Sequence, residues 1–113
     1  MSFPSESERR DLEQELVRLA TTVLAGTVDL LEAAPQLWGG LSVLGFDWGD
    51  PDYHAFGLIA SETDALPIGA QRVCWAADAL VEKEPELQAA RIWAAPLGMP
   101  ACERIVNRFG SPR

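Results

Sequence analysis

Histidine, lysine and tyrosine each occur once in this 113-residue chain, and cysteine occurs twice. The single histidine, His54, restricts nucleophilic catalysis, because any Ser–His or Cys–His pair has to use it. No serine sits in a G-x-S-x-G elbow. Cys74 and Cys102 have neither C-x-x-C spacing nor the companions of a zinc site. Both lie among apolar neighbours, where a free cysteine behaves as a small buried hydrophobe. Long apolar runs are missing too: none approaches the roughly 20 residues that span a bilayer. The opening residues, MSFPSESERR, carry no apolar secretory core, so a cytoplasmic location without membrane insertion is expected. Cations are scarce. Nine Lys and Arg face seventeen Asp and Glu, a net charge of −8, which disfavours nucleic-acid binding through phosphates. Such a field keeps a small protein soluble, and it also suits a basic protein partner.

Hydrophobic residues make up 48% of the chain and charged residues 23%, a globular composition. One domain, residues 1–113, is long enough to bury roughly 65% of its unfolded surface without staples. Helical periodicity dominates. Ser5 or Ser7 caps a helix beginning near Glu6, whose Leu12, Leu16, Leu19, Ala20, Val23 and Leu24 form one apolar stripe. Gly26 ends or loosens it. A further apolar segment runs from Val28 to Ala34, and Pro35 fits the first turn of another helix carrying Leu37, Trp38, Leu41 and Leu44. Gly39 and Gly40 either admit a neighbour closely or break that helix. Asp50 followed by Pro51 is a helix start, a cap and then proline at the first helical position. Residues 55–60 read as helix on that account, with a buried strand as the competing reading. Pro85 opens another helix; Pro96, Gly98 and Pro100 interrupt it. A last segment places Cys102, Ile105, Val106 and Phe109 on one side before Gly110 and Pro112 stop it. The expected fold is all-α, a bundle of four to six short helices.

Candidate chemistry concentrates in two stretches. In the first, Asp47, Trp48, Asp50, Asp52 and Tyr53 surround a loop, so an exposed Trp48 would make an interface anchor with an acidic rim. The alternative is that Trp48 folds back onto the bundle, as Trp75 and Trp93 are expected to do. The same aspartates with His54 could offer oxygen ligands to a hard cation, but the glycine and glutamate positions of an EF-hand are missing. No metal or other cofactor is therefore expected. In the second stretch, SETDALPIG, Ser61 and Asp64 have capping-box spacing while Pro67 limits any turn begun there. Gly69 then frees the chain to begin a helix carrying Val73, Trp75, Ala76 and Leu80. Arg72 could pair with Glu62 or Asp64 and fix a corner between helices. An enzyme using Glu62 and Asp64 as an acid–base pair beside Arg72 is the alternative.

Phe56 to Trp75 (F-G-L-I-A-S-E-T-D-A-L-P-I-G-A-Q-R-V-C-W), with Trp-Ala at Trp93 and A-C-E-R-I-V-N-R-F near the end, resembles a family of short bacterial helical proteins. Their motif is S-E-T-D-x-L-P-[IV]-G-x-x-R-x-x-W. The resemblance implies a shared structural corner at Ser61, Glu62, Asp64, Pro67, Gly69, Arg72 and Trp75, and no catalytic residue. Some small acidic proteins of this kind look like immunity proteins encoded beside polymorphic toxins. With charge, size and the thin catalytic inventory, this leads to an expected non-enzymatic binding protein that occludes a basic toxin domain, such as a nuclease, through the 47–53 loop. A general adaptor is the alternative of the same class, and oligomeric state is left open.

Overall fold

A computed structural model describes residues 4–110, apart from the side chains of residues 70 and 71. Four α-helices form the fold: α1 (Glu6–Leu24), α2 (Leu30–Val43), α3 (Pro51–Glu62) and α4 (Ala77–Phe109). A 3-10 segment, Gly69–Cys74, lies between α3 and α4. No strand occurs among the described residues, and the protein is all-α.

Ser5 caps α1 in a reciprocal box. Its hydroxyl accepts from the Glu8 amide at 3.2 Å and its own amide donates to Glu8 Oε1 at 2.9 Å. These bonds to Ser5 hold the Glu8 carboxyl below its ordinary range. Gly26, at φ +82°, takes the chain out of α1 through the left-handed region. α2 starts earlier than its proline suggests. Asp29 is the cap, accepting from the Leu31 amide at 3.0 Å, and Pro35 falls inside the helix on an exposed face. Gly39 and Gly40 do not break it. A Cβ at Gly40 would lie 2.5 Å from Leu16 Cδ2, so this glycine is what lets α1 settle onto α2. Asp50 and Pro51 open α3 as the sequence indicates, and residues 55–60 are helical.

α4 differs most from the sequence expectation. Pro85, Pro96 and Pro100 lie inside one 33-residue helix. Each removes an amide, and the carbonyls left without it belong to Val81, Ile92 and Pro96. These five residues (Pro96 has both roles) are all exposed, so water can take the place of the lost bonds. The opposite face carries Leu87, Ala94, Gly98, Ala101, Cys102 and Ile105, all buried. Burial against three helices offsets the poor propensity. At Gly98 an added Cβ would lie 2.6 Å from Leu30 Cδ2 and 3.0 Å from Ile59 Cδ1, so α4 crosses α2 and α3 closely here. α4 contacts α1, α2 and α3 and joins them around a core of Leu16, Leu31, Leu37, Leu41, Phe56, Ile59, Leu87 and Ile105. α4 ends at Phe109, capped by Gly110; Pro112 lies outside the described residues. No helix among the described residues is long and apolar enough to cross a membrane.

Candidate interaction surface

The 46–54 region is built by the entry into α3. The Asp50 carboxylate accepts from the Asp52 and Tyr53 amides, both at 3.0 Å. Asp47 Oδ1 accepts from the Gly49 amide at 2.9 Å and so closes the preceding turn. Asp52 then points inward. Only 1% exposed, it is bonded to Arg104 Nε at 2.5 Å and Arg108 Nη1 at 2.7 Å. Arg108 also reaches Asp50 at 3.0 Å and lies over the Phe46 ring, 4.6 Å from its centroid. Burial alone would lower the Arg108 pKa, but its bonds to Asp52 and its attraction to Asp50 outweigh that and raise it. Two of the three aspartates expected to form an outward acidic rim are therefore committed to holding α4 against the start of α3. Asp47 alone stays exposed. Arg104 and Arg108, four residues apart on one helix face, are the partners that sequence reasoning missed.

Trp48 is 53% exposed, and three neighbouring rings hold it. The Tyr53 ring stands nearly perpendicular at 5.2 Å, His54 lies at 5.7 Å and Trp38 at 5.8 Å. Gly57 makes this cluster possible: an added Cβ would come within 2.8 Å of both Trp38 Nε1 and Trp48 Cη2. Trp38 Nε1 is buried without an oxygen or nitrogen acceptor among the described residues, and aromatic rings are its surroundings. Tyr53 is buried beneath, while His54 is exposed beside Trp48. The result is a rigid aromatic platform rather than a loose tryptophan. Trp75 and Trp93 do not anchor the core as expected. Trp75 is half-buried after the 3-10 segment, and Trp93 is 39% exposed on α4.

The Ser61–Trp75 corner also differs from its sequence reading. Ser61 lies within the last turn of α3 and starts no new helix. Thr63 closes α3 instead, its hydroxyl donating to the Ile59 carbonyl at 2.7 Å. Pro67 is buried, and Gly69 turns the chain at φ +60°. The segment after it is 3-10 and then extended at Trp75, so Val73 is 86% exposed rather than part of a buried stripe. The expected clamp is not made: Arg72 donates to the Pro67 carbonyl at 3.4 Å and pairs with neither Glu62 nor Asp64.

These three groups border three different, adjoining depressions, none of which is lined by two of them. Asp64 lines a cavity of about 610 Å³ between α2, α3 and the corner. Glu62 lines a groove with Trp93, and Arg72 a third hollow with Arg91. An acid–base pair assisted by Arg72 has no common site in this arrangement. Cys102 is buried, and that burial, with the Asp52 and Glu103 charges, pushes its thiol up to about 12. Cys74, expected to be buried, is exposed. No group of three or more His, Cys, Asp or Glu side chains converges to hold a metal among the described residues. No family model matches this chain, and no curated protein or solved structure is detectably similar to it.

Proposed function

We propose that this chain is a non-enzymatic protein-binding module, acting in the cytoplasm as an immunity protein that neutralises a basic toxin such as a nuclease. The observation that carries this reading is the platform of Trp48 and His54. A half-exposed tryptophan held by three rings presents apolar area at little entropic cost, as interface anchors do. The net charge of −8 supplies the long-range attraction for a cationic partner. Asp47 is the carboxylate beside the anchor. Asp50 and Asp52 contribute instead by fixing the loop, so occlusion would rest on the tryptophan and the overall field more than on an acidic rim.

The test is co-production with the toxin domains encoded in neighbouring reading frames, followed by calorimetry on the purified pair. Protection from a toxin, with Trp48→Ala weakening the complex about 30-fold or more while the variant still melts as a folded protein, is the expected outcome. Failure to protect against any neighbouring toxin, or a complex whose interface avoids residues 47–54, overturns the reading.

A further inference from the structure

We propose that the 610 Å³ cavity between α2, α3 and the 63–69 corner is a binding site for an organic cation, an alkyl guanidinium or ammonium group. Its volume falls within the usual range for small-ligand sites. The Trp38 indole, Pro35, Leu66 and Ile68 make apolar walls. Glu32 and Asp64 are the ionisable side chains bordering it, and no arginine or lysine is among its described lining residues.

Neither carboxylate is neutralised. Arg9, Arg18, Arg91, Arg104 and Arg108 close ion pairs with other acids. Glu32 also borders the adjoining hollow with Arg72 and Arg91, but Arg91 holds Asp29 at 3.0 Å and Arg72 donates to the Pro67 carbonyl, so neither closes an ion pair with Glu32. Glu32 lies against the corner. The left-handed turn at Gly69 brings the corner down onto α2, so that an added Cβ would sit 3.1 Å from Glu32 Oε1. A side chain there would press on the carboxylate and strain the turn, which only glycine adopts freely. Apolar walls including an indole, with two free carboxylates at the edge, match a cation that carries an alkyl stem. An inorganic ion fits less well, because no three His, Cys, Asp or Glu side chains converge among the described residues.

The site shares Trp38 with the ring cluster that holds Trp48, but its test does not depend on a protein partner. The ¹⁵N-labelled chain is titrated by NMR with agmatine, a free guanidinium amine, and with Nα-acetyl-arginine N-methylamide, which stands in for an arginine side chain of a polypeptide. Saturable shifts at the Trp38 indole N–H and the amides of residues 60–69 are expected, with a Kd on the order of 1 mM. Glu32→Gln and Asp64→Asn should each weaken binding about 3- to 5-fold, and the double variant should bind too weakly to saturate. Ser61→Trp, at an exposed position lining the cavity, should block binding by filling it. Preference for agmatine would identify a free small molecule as the natural ligand, and preference for the blocked arginine a polypeptide side chain; either supports the site. Absence of saturable shifts with both probes, or affinity unchanged in the double variant, overturns the proposal. Thermal melts of each variant verify that the fold is intact.

Discussion

The two ends of α3 use the same residue types to opposite effect. At its start, Asp50 and Asp52 flank a proline and are drawn into the structure by Arg104 and Arg108. At its far end, Glu62 and Asp64 precede another proline and stay outside, in no ion pair among the described residues. What separates them is the supply of arginine. α4 runs past the start of α3 with two guanidinium groups on one face, and it offers the far end Trp93 and Glu86 instead. A carboxylate's role is decided by which helix crosses beside it, and its own neighbours in sequence say little about that.

The contrast can be tested, beginning with the largest effect. Cys102 shares the buried end with Asp52, while Cys74 is exposed on the 3-10 segment. With its pKa pushed up to about 12, Cys102 should react with a thiol reagent at neutral pH at least about a thousandfold more slowly than Cys74. Time-resolved mass spectrometry reads both sites, and equal rates would mean the Asp52 end is open in solution. Next comes Asp52→Asn. It leaves two arginines without their buried carboxylate, and because both guanidiniums are partly exposed and can rehydrate, the cost should be about 2–3 kcal/mol in urea unfolding. The same substitution should speed labelling of Cys102.

Smaller effects sharpen the comparison. Asp50→Ala removes the cap of α3 and one partner of Arg108, and should cost about 1 kcal/mol. At the opposite end, Asp64→Asn should change unfolding free energy by no more than about 0.5 kcal/mol, since the carboxylate makes no ion pair there. A large loss from Asp64→Asn, or a negligible one from Asp52→Asn, would break the distinction between the two ends.

The all-α class and the starts of α1 and α3 were legible because caps and periodicity are local. Ser5 with Glu8 and Asp50 with Pro51 each satisfy amides within four residues. The roles of the two acidic stretches were not legible. Asp52 is paired across 52 residues and Trp38 stacks across ten, distances at which one sequence carries no pairing signal. The outer rim assigned to residues 47–53 is largely interior bonding, while part of the assigned corner lines the open cavity. The prolines of α4 misled for a different reason. Proline always costs a helix interior a hydrogen bond and a clash with the preceding turn, but here water takes the freed carbonyls and packing on the opposite face offsets the rest. Recognising that all three face water requires knowing which side of α4 is packed, and Gly98 under Leu30 and Ile59 is the residue that fixes that side.

The length of α4 sets the dimensions of the molecule. At about 1.5 Å per residue its 33 residues extend roughly 50 Å, matching the longest axis of 49 Å. Its first ten residues bury no side chain, whereas its last sixteen supply five of its six buried positions. The helix is thus a beam clamped at one end. Thermal opening should start as fraying at the free end and travel inward, with Leu87 the first tie that has to give.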